Sequence, residues 1–436
     1  MIMSIAALAL FSGVALAGCS QRTGVGVNTP PDKTANSQTI VSGVAKSGDG
    51  EKIKLSFYST IALPSAQEVV RSITSDFMNE NPNIQVELQF PGSEYENMLK
   101  VKMGANDLPD VFDTHGWAVT RYGKFLADLK DQPWAEHLTD TIKPVVTDKD
   151  GKVYALVLSE AKVGISYNAE ILEKYQIKPP KTYDELMAAA ETIKTQSKGD
   201  VTPFFVSGVD GMTGQFQDLF AVPLFLSQEK NDAQSLLDGS FDWNKYTKLA
   251  QMMLDLKKKG YINEDVSTAK KSDIAQRMAQ GKIAFVTGEP TWADDARKIN
   301  PNIKIGLIPV PSVQPGDTPT FTGGERYTMG VWKDGKHLAE SKKLLAFFAK
   351  PDNMAKLANV TKVPPGLKGI EAKHEFSDFY KQYADIRVFP FFDRVYLPNG
   401  MWDVMTRDGT SLISEKVTTN QYTEKMKQEY ERLRNK

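Results

Sequence analysis

The stretch from Asp150 to Leu186, DGKVYALVLSEAKVGISYNAEILEKYQIKPPKTYDEL, decides how the chain is organised. A polar turn, Lys149-Asp150-Gly151, runs into a long apolar segment from Val153 to Tyr167. That segment is too long and too unbroken for one half-exposed strand. It predicts two short buried strands with a polar interruption at Ser159 to Lys162. A helix runs from Asn168 through Leu172, and Pro179-Pro180 cannot continue one. Thr182, with Glu185 three residues on, forms a capping box that starts the next helix. An apolar run broken in the middle by Glu160 marks a chain crossing from one domain to another past a polar site.

Upstream, the chain alternates strand and helix. Ile53, Leu55 and Phe57 alternate as a strand, and Ser65 with Glu68 reads as a capping box for a helix whose apolar face is Val69, Val70, Ile73, Phe77 and Met78. Asn81-Pro82-Asn83 stops that helix. Ile84, Val86, Leu88 and Phe90 form a second strand, a helix starts near Ser93 with Glu96 completing its box, and Asp107-Leu108-Pro109-Asp110 leads into Val111-Phe112. This β-α-β-α-β order implies a mostly parallel sheet with helices on both faces. Downstream, Pro203 to Val209 and Ala221 to Leu226 are apolar runs joined by a glycine-rich loop at Gly208 to Gln217, and Asp242 to Lys259 is an amphipathic helix ended by Gly260. Ile305 to Pro311 is a further strand, and the Pro/Gly-rich loop to Pro319 is a second candidate crossing.

With 436 residues the chain accommodates two or three domains. Its 53 basic and 54 acidic residues are interspersed, so charge offers no case for nucleic acid as a partner. Cys19 is the only cysteine, which excludes an intrachain disulfide and any multi-cysteine metal site. Ile2 to Leu16 is a short apolar run, and it ends in Leu16-Ala17-Gly18-Cys19-Ser20. That ending resembles the bacterial lipobox, which implies a signal peptide cleaved before a lipidated Cys19, although no Lys or Arg precedes the run. Gln21 to Gly50 is rich in Thr, Ser, Gly, Asn and Pro and reads as a flexible tether.

Three motifs in the opening stretch carry a family resemblance: Asp150-Gly151-Lys152-Val153-Tyr154, Tyr167-Asn168, and Pro179-Pro180-Lys181-Thr182-Tyr183-Asp184-Glu185-Leu186, with Tyr183 in place of the usual Trp. In this order and spacing the chain resembles the extracellular solute-binding proteins of ABC importers, in the maltose-type, sugar-binding branch. Phe77, Asn81-Pro82, Ile84, Val86, Pro109-Asp110-Val111 and Leu126-Ala127-Asp128-Leu129 extend the likeness over the first lobe. Gln276 to Trp292, QRMAQGKIAFVTGEPTW, is similar to the family segment in which a helix feeds a strand whose end presents a tryptophan to the cleft.

The resemblance implies an α/β, two-lobed periplasmic-binding-protein-like fold of type II. Each lobe would be a mostly parallel sheet flanked by helices, and crossings between lobes would act as the hinge. On this reading, 1–19 is the signal peptide and lipobox and 20–50 the tether; 51–157 and 320–378 form lobe 1, and 158–319 and 379–436 form lobe 2. It further implies a lipid-anchored monomer on the outer face of the bacterial cytoplasmic membrane. That protein captures a sugar or oligosaccharide and hands it to the permease subunits, with no cofactor.

Catalytic signatures are lacking. Asp148, Asp150 and Gly151 fit a calcium loop but its first ligand and closing Glu do not, Ser227-Gln228-Glu229-Lys230 lacks the companion elements of a penicillin-binding enzyme, and the four His residues are scattered. What remains is aromatics at segment ends. Sugars present a weakly polar C–H face that an aromatic plane covers and a ring of hydroxyls that carboxylates, amides and Arg bond. Trp117, in Asp113-Thr114-His115-Gly116-Trp117, follows the Val111-Phe112 strand, where an open α/β sheet binds its ligands. Trp292 leads the candidates, expected to stack on a sugar ring. Trp402, Glu160, His115, Phe216, Glu325, Arg326 and Asp403 complete the set, with Gln217 beside Phe216, while Trp134, Trp243 and Trp332 read as structural. Two alternatives stay open: a surface glycosidase working through two carboxylates, and a binder of some other solute in the same fold.

Overall fold

The computed structural model describes residues 52–435; Cys19, the apolar run and the tether lie outside them. Along the chain come β1 (Ile53–Tyr58), β2 (Ile84–Gln89), β3 (Val111–Phe112), β4 (Leu156–Val163), β5 (Ile165–Asn168), β6 (Thr202–Phe204), β7 (Ile283–Thr287), β8 (Ile305–Ile308), β9 (Phe321–Val331) and β10 (Val388–Pro390). They form two sheets with helices packed around them. The first has the order β10-β9-β3-β1-β2 with β4 on β9, and the second β6-β7-β5-β8.

In the first lobe the alternation seen in the sequence does what it should. Leu55 and Phe57 are fully buried, and β1 runs parallel to β2 (Leu55 opposite Val86) and to β3 (Phe57 opposite Val111). Parallel neighbours need a crossover, and the Pro64–Glu80 helix supplies it, burying Val70, Ile73 and Phe77 against the sheet. The second sheet is mixed rather than mostly parallel: β6 and β7 are parallel, but β5 is antiparallel to both β7 and β8. The reason is connectivity. β5 follows β4 directly through Gly164 with no crossover helix, so the strand entering from lobe 1 fixes its direction.

β4 and β9 join the lobes. They pair antiparallel from Leu156 opposite Met329 to Val163 opposite Thr322. Leu156, Val157, Leu158, Met329 and Val331 belong to one hydrophobic core, and Ala161 and Val163 to the other. The expected interruption at Ser159 to Lys162 is absent, since both Ser159 and Glu160 stay buried in the strand. Their backbone remains paired, because the Glu160 amide donates to the Pro364 carbonyl at 2.8 Å. The break falls instead at Gly164, where a Cβ would run into the carbonyl of Ile308.

Helix starts agree with the sequence pattern only in part. Thr182 and Glu185 form their capping box, with Thr182 Oγ1 accepting from the Glu185 amide at 3.2 Å. Ser65 and Glu68 do not: that helix begins one residue earlier at Pro64, whose missing N–H is harmless there. Ser93 and Glu96 do not either. The helix Tyr95–Ala105 follows a short 3-10 turn, and the Glu96 carboxylate is engaged elsewhere. The expected loop from Gly208 to Gln217 becomes a helix, Met212–Ala221, once Gly211 (φ 77°) has turned the chain, because Met212, Phe216, Leu219 and Phe220 are needed in the second core.

Candidate functional site

β3 ends at Phe112, and the chain leaves it through Asp113, fully buried between β1 and β9. Its Oδ1 accepts from the His115 amide at 2.9 Å, the Thr328 amide at 3.1 Å and Thr328 Oγ1 at 2.8 Å, and its Oδ2 from Thr60 Oγ1. These bonds fix the next turn, in which His115 (φ 44°) and Gly116 (φ 87°) adopt left-handed conformations. Gly116 is required there. A Cβ on it would lie 2.6 Å from Glu325 Oε1 and 2.7 Å from Arg394 Nη1, so a carboxylate of β9 and a guanidinium of the Phe392–Tyr396 helix converge over this glycine.

Trp117 comes next, half-buried. The Arg121 guanidinium lies 3.7 Å from its ring centre, that of Arg394 5.9 Å away, and the His115 ring meets it edge-on at 5.1 Å. Arg121 is held from both lobes: its Nη1 donates to Glu96 Oε2 at 2.7 Å and its Nη2 to Asn399 Oδ1 at 2.5 Å. Glu96 also meets His115 Nδ1 at 2.8 Å and accepts from the Tyr122 hydroxyl at 3.1 Å. Burial acts to raise the Glu96 carboxyl, but His115, Arg121 and Tyr122 outweigh it and hold it below the ordinary glutamate range.

Glu325 and Arg394 differ from this satisfied network. Glu325 is 4% exposed, and burial pushes its carboxyl up while Arg394 opposes the shift. Its side chain accepts from no other residue among the described ones, and Arg394 makes no hydrogen bond or ion pair among them either; its guanidinium rests 4.3 Å from the Phe391 ring. A buried carboxyl and a guanidinium with unused hydrogen-bonding capacity, beside an aromatic plane, have the donors and acceptors to bond hydroxyl groups and the surface to cover an apolar face.

The structure thus brings together Trp117, His115 and Glu325 among the expected residues. The others lie elsewhere. Glu160 accepts from Thr139 Oγ1 at 2.8 Å, and its other oxygen, 3.8 Å from Lys162 Nζ, lacks a hydrogen bond. Arg326 is used in an ion pair with Glu289 from the loop after β7. Phe216 is not a loop residue facing the cleft but a core residue stacked on Phe220 at 4.4 Å, because the segment is helical. The neighbouring Gln217 is buried, its Oε1 accepting from Tyr246. Trp402 and Asp403 sit exposed on the first turn of the Met401–Ile413 helix, with Trp402 beside Gly211. Trp292 is 8% exposed in the second core, its buried Nε1 without an acceptor. Trp134 and Trp243 are core residues and Trp332 packs at the edge of the first core.

Sequence reasoning missed Arg121, Arg394, Glu96 and Asn399. Arg121 had a signal: it lies four residues past Trp117, and its amide returns to the Trp117 carbonyl at 3.1 Å, which puts it one turn above the ring. Arg394 and Asn399 had none, since Asn399 lies 278 residues from Arg121 in sequence and Arg394 equally far from Gly116. No group of three His, Cys, Asp or Glu that could hold a metal ion occurs among the described residues.

Two α/β lobes joined by an antiparallel pair of strands, with an unsatisfied polar and aromatic cluster between them, define a solute-binding protein of the two-lobed type. The chain belongs to the family of bacterial extracellular solute-binding proteins, whose profile matches residues 72–388. It is 43% identical over 390 residues to the melibiose/raffinose/stachyose-binding protein of Bacillus subtilis (strain 168), covering 89% of this chain and 92% of that protein. Among solved structures it is similar to a sugar transporter protein of Bacillus licheniformis in complex with stachyose, with 48% identity, TM-score 0.81, and 87% and 100% of the two chains covered. A Bacillus subtilis binding protein in an open conformation is similar at 42% identity and TM-score 0.85, over 89% and 99% of the two chains.

Proposed function

We propose that this chain is the substrate-binding component of an ABC importer and that its ligand is an α-galactoside of the melibiose, raffinose and stachyose series. The observation that carries this reading is the meeting of Glu325 and Arg394 over Gly116, beside the face of Trp117. A galactosyl ring laid on Trp117 would offer its hydroxyls to that carboxyl and that guanidinium, replacing water with charge-assisted bonds. The names of the relatives, 43% and 48% identical, supply the sugar class. The sugar leaves chemically unchanged. The lobes that close on it are 51–157 with 320–378 and 158–319 with 379–436, and β4 and β9 are the hinge ribbon between them.

Titration calorimetry against melibiose, raffinose and stachyose, with maltose and lactose as controls, tests this. The galactosides should bind, and at a hundred times the dissociation constant they should stabilise the fold by about 2.7 kcal/mol. Absence of binding to all three, or release of free galactose, would overturn it. The closed protein then docks on the permease, tethered by a lipid on Cys19. Cys19→Ser should move the protein from the membrane fraction to the soluble fraction without changing its affinity; retention in the membrane would remove the anchor from this account.

A further inference from the structure

Two acids, Asp218 buried and Asp393 half-buried, lie side by side beneath the cleft, and the sugar contacts described so far do not use them. Asp218, on the Met212–Ala221 helix, is 3% exposed, and its Oδ1 accepts from the Asp393 backbone amide at 2.9 Å. Asp393 is the second residue of the Phe392–Tyr396 helix and the residue before Arg394. Burial raises both carboxyls, Asp218 well above its ordinary value, and the charge of Asp393 pushes Asp218 further in the same direction. Neither carboxyl has a basic group within ion-pair distance among the described residues.

The surroundings supply little to neutralise a second charge. Tyr246 and Tyr422 approach from the Tyr246–Lys258 and Thr419–Arg434 helices, but burial keeps both phenols neutral and both donate to Gln217. From the first lobe comes His115, from β9 Glu325, and from the acids' own side Arg394. On the Met401–Ile413 helix, Asp403 is exposed, while Asp408 is engaged by Arg407 at 2.8 Å and Lys425 at 2.9 Å. The Ala233–Asp238 helix offers only the exposed Asp238, and β7 carries no titratable side chain. Two carboxylates in such a place cannot both be ionised without repelling one another.

We propose that Asp218 is a positioning residue for the sugar site: by holding the Asp393 backbone amide, it fixes the start of the helix that aims Arg394 at the cleft. The proposal rests on the assignment of Arg394 to that site. Ionisation of both carboxyls sets two anions against each other at the root of Arg394. Raising the pH therefore loosens the guanidinium and weakens the sugar. The group is raised, so its contribution is present at low pH and is lost as pH rises through the pair's upper titration.

The test is the dissociation constant for stachyose or raffinose, by calorimetry, from pH 7 to pH 9.5, above the range in which histidine ordinarily titrates. Wild type should bind about tenfold more weakly at the alkaline end, the effect of one pKa unit of linkage. Asp218→Asn is the rescue. Its Oδ1 still accepts the amide and its Nδ2 donates to the Asp393 carboxylate, with no proton to lose, so its profile should be level and its affinity at pH 9.5 should exceed that of wild type. A level wild-type profile, or an Asp218→Asn profile as steep as wild type, overturns the proposal. Arg394→Ala separates the two readings: if it binds as tightly as wild type, the site assignment fails, whereas if it binds weakly and Asp218→Asn keeps the wild-type slope, the positioning role alone falls.

Discussion

Trp117 and Trp292 occupy matching places in the two lobes: Trp117 is five residues past the end of β3 and Trp292 five past the end of β7. Their fates differ. After Trp117 the chain makes an irregular turn and the ring stays half-buried, with Arg121 on its face and Arg394 beyond it. Trp292 leads straight into the helix Ala293–Ile299, which buries Ala293 and Ala296, and the ring goes down into the core with them. The position at the end of a strand sets where an aromatic ring can go. The next element of the chain then decides its fate: a packing helix pulls the ring inward, and a turn leaves it to the cleft.

The most severe way to break this comparison is Trp292→Ala. A buried tryptophan removed from a core should cost about 3–5 kcal/mol of stability, read from urea unfolding, with little change in sugar affinity. A nearly unchanged unfolding midpoint with affinity lost about ten- to a hundredfold would instead put Trp292 in the cleft of the sugar-bound form.

Trp117→Ala should behave oppositely. It should lose about 2 kcal/mol of galactoside affinity, roughly thirtyfold, as anchoring aromatics do, while the unfolding midpoint moves little. Full affinity in this variant would remove Trp117 from the sugar site and leave the two tryptophans without the functional contrast.

The smallest effect concerns the network behind Trp117. The Glu96 carboxyl is held below its ordinary value, so its contribution to stability is present above that value and is lost as pH falls through the native one. Its side chain is 36% exposed, so solvent screening limits the effect, and Glu96→Gln should cost less than about 1 kcal/mol at pH 7. Urea unfolding at pH 7 and again near pH 3 checks this, since about the same stability is expected of both proteins at the acid pH. An equal cost at both pH values would show that the glutamine is felt through packing, not charge.

Much of the architecture is legible in the sequence, because it rests on local periodicity. Leu55 and Phe57, Ile84 and Val86, and the Val70–Ile73–Phe77 face each repeat at the spacing their element demands, and each is buried as that spacing requires. The Thr182–Glu185 box forms for the same reason: both partners are three residues apart, and nothing distant competes for Glu185. Glu96 shows the limit. The same sequence pattern occurs there, but Arg121 and His115 draw the carboxylate away into the cleft.

The site is only half legible. Trp117, His115 and Glu325 can be named from aromatic and polar residues at segment ends, whereas Arg394 becomes visible only when the fold brings the Phe392–Tyr396 helix over Gly116. Nothing in a one-dimensional pattern measures how far one strand end lies from a helix some 280 residues later. By itself, then, the sequence determined most strands and helices of the first lobe and the place of Trp117 after β3, since these rest on side-chain chemistry repeated over a few residues, and its motifs carried the resemblance that implied the two-lobed α/β class. Tertiary structure alone decided the direction of β5, the burial of Trp292 and Phe216, and the convergence of Glu325, Arg394 and Trp117. Each of these is set by which distant surfaces must share a core, and the burial of apolar area, not local spacing, makes that choice.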